Sequence, residues 1–212
     1  MISSFVRLIA VATLVFASNT WAHAQTPGRA AAAPPDAVPS TAGTLSARGD
    51  VWSYGHRNLL AAAFDAAGRL WAVEMGPLGG DELNLVERGK NYGWPLVSNG
   101  DNYDNSQIPD HPSRRELQGP ARTWTPVISP SGATFYTGAL FPAWRGSLFV
   151  GGLSSQALIR LAWDGGGRLA VEERIDLRRR VRDVIQAPDG ALLVIVDNVK
   201  GDLLRLTPAP AR

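Results

Sequence analysis

The chain has 212 residues, enough to bury one sizeable core, and its 21 Lys and Arg against 19 Asp and Glu leave a net charge of +2. That near balance excludes a strong field for nucleic acid or a membrane surface. The absence of cysteine excludes disulfides, and seven Trp with 22 Gly favour a turn-rich β protein over a helical one.

Met1–Arg7 carries one positive charge, and Leu8–Ala17 is an apolar run of about ten residues followed by the small-x-small pattern Ala22-His23-Ala24. This predicts a secretory signal peptide over 1–24, cut after Ala24, and hence a periplasmic or secreted protein. The run is short of the roughly 20 apolar residues a membrane span requires, so no stable span is expected. Residues 25–48 are rich in Ala, Pro, Thr and Ser and read as a disordered linker. The folded region is expected over 49–208.

Val51–Tyr54 alternates weakly and leads into Gly55-His56-Arg57-Asn58. Leu59–Asp65 is an apolar run, Ala66–Arg69 a turn, and Leu70–Glu74 the next strand. The same unit returns in looser form twice. Ala139–Arg145 leads through Gly146 to Ser147–Val150, and Val184–Ala187 leads through Pro188-Asp189-Gly190 to Ala191–Val196. Ala157–Trp163 and Arg168–Glu172 flank Asp164–Gly167 as a further hairpin. Short strands, Gly-rich turns and a spacing near 40–50 residues favour an all-β propeller, with a sandwich as the competing architecture.

Two loops stand out. Val73–Asn84 carries Gly76, Pro77, Gly79 and Gly80 between strand-like segments. Gly and Pro force a tight excursion, and backbone carbonyls held at such a turn suit a hard cation such as Ca²⁺. The alternative is a plain connecting turn. The interval Arg88–Trp124 is poor in strand signal. Its Asp101–Asn105 cluster lacks the Gly and Glu of an EF-hand and reads as a solvated loop. His56 is a candidate base or a histidine that shapes its loop. His111 is read as a surface residue. Arg180 and Arg182, at i and i+2, face one side of a strand, either as carboxylate ligands or as a solvated basic edge among Arg174, Arg178 and Arg179.

Several motifs occur in a set order: Gly55-His56-Arg57-Asn58; Glu74-x-Gly76-Pro77-x-Gly79-Gly80-Asp81-Glu82-Leu83-Asn84; Gly89-Lys90-Asn91-Tyr92-Gly93-Trp94-Pro95; Ser129-Pro130-Ser131-Gly132; Phe135–Gly138; Phe141-Pro142-x-Trp144-x-Gly146; and Arg180–Val184. Together they resemble the soluble PQQ-dependent aldose sugar dehydrogenases, the glucose/sorbosone dehydrogenase family, from about Val51 to Leu206. The resemblance implies a six-bladed β-propeller, of which this stretch supplies about three blades. It implies pyrroloquinoline quinone (PQQ) and Ca²⁺ as cofactors, and oxidation of an aldose at C1 to the lactone with electrons passing to an acceptor of unknown identity. By resemblance, the carbonyls of Gly76 and Pro77 would bind Ca²⁺, and Arg57 and Asn58 would lie against the quinone. Arg180 and Arg182 would meet the cofactor's carboxylates, and Asp81 would support the Gly76-Pro77 turn.

Departures from the family pattern are Met75 and Leu78 in place of His and Arg, Ser154 or Ser155 in place of a Lys, and Leu59-Leu60-Ala61 in place of Pro-Gln-Gly. The family's catalytic His base precedes the Gly55–Asn58 motif, and it carries over to no residue of this chain. A truncated half-propeller acting as a binding or structural module is therefore the alternative function. It would expose strand edges through which the chain could self-associate. A third reading, a Ca²⁺-dependent lactonase-type hydrolase, would use Glu74, Asp81 and Glu82 as metal-directed carboxylates.

Overall fold

The computed structural model describes residues 51–209. The signal-peptide and linker expectations, over 1–24 and 25–48, lie outside the described residues. No helix among the described residues is long and apolar enough to cross a membrane.

Thirteen strands form the described region. They are β1 (Leu59–Phe64), β2 (Leu70–Glu74), β3 (Leu78–Gly79), β4 (Asp81–Val86), β5 (Gly100–Asp101), β6 (Arg122–Trp124), β7 (Pro130–Phe135), β8 (Leu148–Gly152), β9 (Ala157–Trp163), β10 (Leu169–Asp176), β11 (Val181–Gln186), β12 (Leu192–Val196) and β13 (Leu203–Leu206). They make three antiparallel sheets in orders β1-β2-β4-β6, β7-β8-β9-β10 and β11-β12-β13, with β3 and β5 as a separate two-stranded ribbon. The first strand of each sheet is the inner one, since β1 packs beside β7 and β7 beside β11. Sheets set side by side around their first strands are the blades of a β-propeller, and the described residues hold three of them. The all-β expectation is met, and the sandwich is replaced by this radial arrangement.

The alternation of side chains along the strands explains the packing. The middle sheet is buried on both faces. Leu148 and Val150 of β8, with Ile159 and Leu161 of β9, face the first sheet and meet Trp71, Val73, Leu83 and Trp124. Their neighbours Phe149 and Leu158 face the third sheet and meet Val181, Val184, Leu192 and Val194. The outer blades have one such face each. On the first, Leu59, Leu60 and Phe64 of β1 remain exposed beside Trp52. On the third, Ile185, Ile195 and Leu203 remain exposed.

Three local expectations are corrected. Ala139–Arg145 is not a strand; it contains a 3₁₀ turn at Pro142–Trp144, and the strand preceding β8 is β7. Pro142 cannot donate to a ladder but suits the first position of a helical turn. Phe141 and Trp144 stack there, with ring centroids 4.0 Å apart, against Tyr136. Val51–Tyr54 contributes a single bridge, Tyr54 to Asn91, in place of a strand. His111 is not at the surface; it is 7% exposed at the start of the 3₁₀ turn His111–Ser113.

Candidate functional site

The turn between β2 and β4 is built so that only glycine fits at two places. A Cβ on Gly76 would lie 2.1 Å from the Gly79 carbonyl oxygen. On Gly80, where φ is +68°, it would lie 2.5 Å from the backbone nitrogen of Gly100. Backbone against backbone leaves no side chain to move aside. Gly80→Ala is therefore expected to cost about 2–3 kcal/mol, through positive-φ strain and overpacking. A urea midpoint equal to that of the parent would contradict this account of the turn.

Asp81 anchors the turn from below. It is fully buried. Its Oδ1 accepts the Gly76 N–H at 2.9 Å, and its Oδ2 accepts the N–H groups of Ile128 and Ser129 at 2.8 and 2.9 Å. Burial pushes its carboxyl upward, against these three hydrogen bonds, which favour the charged form. The turn of the first blade is thereby fastened to the entry of the second.

The Gly55–Asn58 loop lies against the same turn. Met75 N–H donates to the Asn58 carbonyl at 3.0 Å, and Arg57 Nη1 donates to the Met75 carbonyl at 2.8 Å. The Arg57 guanidinium lies over the rings of Trp94 and Tyr103, at 5.2 and 5.8 Å, and Nη2 donates to the Tyr103 hydroxyl at 3.1 Å. Its Nε is buried with no hydrogen-bond partner among the described residues.

Behind this loop sits a cluster of buried polar groups. Glu74 accepts from His56 Nδ1 at 2.6 Å, from the Arg57 backbone N–H at 2.9 Å and from Asn84 Nδ2 at 2.9 Å. With Nδ1 donating, His56 Nε2 accepts from the Ser53 hydroxyl at 2.8 Å. Both ring nitrogens are thus engaged, and the imidazole stacks on Tyr92 with centroids 4.5 Å apart. His56 is thereby fixed between Ser53 and Glu74, and it ties its loop to β2. Glu82 lies opposite Glu74 in the β2–β4 register and takes the second Asn84 Nδ2 hydrogen bond at 3.1 Å. Burial, with the Glu74 and Asp81 charges adding to it, pushes its carboxyl up to about 7. His111 Nε2 donates to the Tyr92 carbonyl at 3.1 Å, and its Nδ1 stands 3.8 Å from Glu82 Oε1.

Of the six residues singled out in the sequence for cofactor and metal, the structure brings Arg57, Asn58, Gly76 and Pro77 together. Arg180 and Arg182 lie at the start of β11, in the third sheet. Asp81 links that turn to Ser129, and the Ser131 hydroxyl donates to the carbonyl of Val181, the residue between the two arginines, at 2.7 Å. Both guanidinia converge on Asp197 Oδ2, from Arg180 Nη2 at 2.9 Å and Arg182 Nη2 at 3.1 Å, and both side chains are about half exposed. One carboxylate shared by two arginines leaves one net positive charge facing outward.

Sequence reasoning did not assign Trp94, Tyr103 or Asn84 to the site, and it placed Glu74 only in the hydrolase reading. The β2–β4 hairpin pairs Glu74 with Glu82, and that cross-strand carboxylate pair was the available signal. Glu74, Asp81 and Glu82 accept hydrogen bonds from protein donors, and no group of three or more His, Cys, Asp or Glu among the described residues could hold a metal. A cation at this turn would take backbone oxygens, and a glycine turn of hard carbonyl donors beside a fixed guanidinium fits Ca²⁺ with an anionic cofactor.

The family model for glucose/sorbosone dehydrogenase matches residues 29–205. An uncharacterised protein of Synechocystis is 45% identical over 159 residues, covering 74% of this chain and 39% of the relative. The aldose sugar dehydrogenase of Escherichia coli is 38% identical over 169 residues, covering 76% of this chain and 45% of the relative. The crystal structure of that E. coli enzyme in its apo form superposes with a TM-score of 0.68 over 81% of this chain and 51% of its own, at 35% identity. The PQQ-bound aldose sugar dehydrogenase of Streptomyces coelicolor gives a TM-score of 0.55 at 28% identity, over 74% of this chain and 45% of its own. The chain thus spans less than half the length of the curated relatives it matches.

Proposed function

The chain belongs to the glucose/sorbosone dehydrogenase family, a family of sugar-oxidising oxidoreductases, and on that premise we propose that it takes part in PQQ- and Ca²⁺-dependent oxidation of an aldose at C1 to the lactone, in the periplasm or outside the cell. The observation that carries this reading is the joining of the Arg57–Asn58 loop to the Gly76–Pro77 turn, through Met75 N–H to Asn58 O and Arg57 Nη1 to Met75 O.

The carbonyls of Gly76 and Pro77 would hold the Ca²⁺. Arg57 and Asn58 would face the quinone oxygens, and Arg180 and Arg182 would supply charge to its carboxylates. Bound PQQ supplies the two-electron acceptor that a hydroxyl-to-carbonyl oxidation requires. This chain's own contribution is binding and orientation. The Arg57 guanidinium is held against the Met75 carbonyl and the Trp94 ring, so its charge is fixed in place before any ligand arrives. No residue of the chain is assigned as the base. The electrons would then pass to a separate acceptor.

The test is a thermal melt of the mature chain with and without PQQ plus Ca²⁺, followed by aldose turnover with an artificial electron acceptor. Ligand at a hundredfold excess over Kd stabilises by about 2.7 kcal/mol, which for a domain of this size is a rise of about 5–10 °C. A shift that needs both components, together with turnover, supports the enzyme. The exposed Leu59, Leu60, Phe64, Ile185 and Leu203 favour a second reading, a half-ring that binds without turning over. A shift without turnover would select it. No shift under any condition would sink both.

A further inference from the structure

Glu74 does something that the proposed binding residues do not. Its carboxylate is 3% exposed and touches neither the Gly76 nor the Pro77 side of the turn through a hydrogen bond. It is spent entirely on three donors. Two belong to the Gly55–Asn58 loop, the His56 ring at 2.6 Å and the Arg57 backbone N–H at 2.9 Å, and the third is Asn84 on β4 at 2.9 Å. A carboxylate is acceptor-only, and charge-assisted bonds of this length are the stronger kind.

One residue further along the chain, Met75 gives its N–H to Asn58 and its carbonyl to Arg57. Residues 74 and 75 therefore hold 56, 57 and 58 by consecutive bonds, and residue 76 begins the turn that Asp81 fastens to the second blade. The loop has no strand ladder of its own, since β1 begins only at Leu59. Without this clamp, the backbone beneath Arg57 would rest on the loop's own bonds, such as Trp94 N–H to the Gly55 carbonyl at 2.8 Å.

The geometry points to Glu74 as a positioning residue. Its buried carboxylate, acting through His56 and the Arg57 backbone, holds the cofactor-facing loop and the cation-facing turn as one unit, so that the affinity for an anionic quinone depends on Glu74 chiefly by way of Arg57. This inference rests on the proposed PQQ site for its functional half. The clamp itself is independent of it.

The experiment has two readouts. The first is PQQ affinity, measured by fluorescence quenching in saturating Ca²⁺, across a double-mutant cycle of Glu74→Ala and Arg57→Ala. Glu74→Ala is expected to weaken PQQ by about 10- to 100-fold, the range for groups that orient a ligand from behind. In the Arg57→Ala background it is expected to add less than about twofold. Equal losses in both backgrounds would overturn positioning through Arg57. The second readout needs no ligand. Amide hydrogen exchange at Arg57 and Met75 is expected to speed up at least about tenfold in Glu74→Ala, while Leu158 in the middle sheet keeps its protection. Unchanged exchange at Arg57 and Met75 would overturn the clamp. Where Glu74→Ala does not fold, Glu74→Gln serves both measurements, since it keeps the volume and removes the charge and one acceptor. If the parent chain binds no PQQ while the variant loses protection at Arg57 and Met75, the cofactor reading fails and the clamp stands.

Discussion

Replacing Asp81 by alanine is expected to lower the melting temperature by about 10 °C, the largest effect foreseen for a single side chain here. The substitution removes one acceptor group and strands three N–H donors, those of the buried Gly76 and Ile128 and of the half-buried Ser129. Each unsatisfied donor costs about 1–3 kcal/mol, and relaxation of the freed turn recovers part of that, so a net loss of about 4 kcal/mol is expected. At about 2–4 °C per kcal/mol for a domain of this size, the shift follows. Asp81→Asn should fall between, because its amide oxygen keeps one side of the arrangement while its NH₂ meets a donor on the other. Calorimetry of the three proteins checks the order. A melting temperature for Asp81→Ala within about 2 °C of the parent would mean that the three hydrogen bonds are replaceable by water, and that the turn is not held from below.

Glu82→Gln is expected to stabilise the protein at pH 8 and to change little at pH 4. In the folded state burial holds the Glu82 carboxyl up at about 7, against an ordinary value of 4.5. Below pH 4.5 the group is protonated in both states and costs nothing. As pH rises from about 4.5 to about 7 the unfolded chain ionises and the folded one does not, so stability is lost across that window and levels off above it. The loss amounts to about 3 kcal/mol at pH 8 as an order of magnitude. Glutamine has no proton to lose. Its oxygen can take the Asn84 amide, and its NH₂ can turn toward His111 Nδ1, which has no hydrogen-bond partner among the described residues. Asp65, held below its ordinary range despite its burial by hydrogen bonds from Trp71 and Arg69, works in the opposite sense. The quantity to read is therefore the difference between parent and variant at each pH, from urea midpoints at pH 4, 6 and 8. A difference that is flat with pH would show that Glu82 titrates in the folded state as it does in the unfolded chain.

The period-two alternation and the Gly-centred turns made the sheets legible in the sequence, because both are local. Ala157–Trp163, the turn Asp164–Gly167 and the following strand stand as expected, with β10 beginning at Leu169 and running on to Asp176. Ala139–Arg145 misled because an apolar run does not distinguish a strand from residues that pack as rings. Pro142 was the sign that it would not pair, and Phe141 and Trp144 instead close over Tyr136.

At the candidate site, Arg57, Asn58, Gly76 and Pro77 are reached by resemblance, and the structure joins their two segments through Met75. What holds them was less legible. Glu74, His56 and Asn84 meet only after β2 pairs with β1 and with β4, and a hydrogen bond between residues 18 apart leaves no mark on either neighbourhood. His111 was misplaced for the same reason. Its segment Pro109–Pro112 reads as polar and turn-like, yet the chain folds it under Tyr92 and beside Glu82.

The open face of the first blade has a thermodynamic consequence. Leu59, Leu60 and Phe64 are 52%, 40% and 67% exposed, and Trp52 is 54% exposed. Water already ordered around apolar groups in the native state contributes nothing when the chain unfolds, and the heat-capacity increment of unfolding counts only surface newly wetted. The described region should therefore have a smaller increment per residue than a domain that hides these groups, and a flatter dependence of stability on temperature. Its resistance to heat would then rest to an unusual degree on enthalpy from the polar clamps beneath the turn, rather than on the release of water.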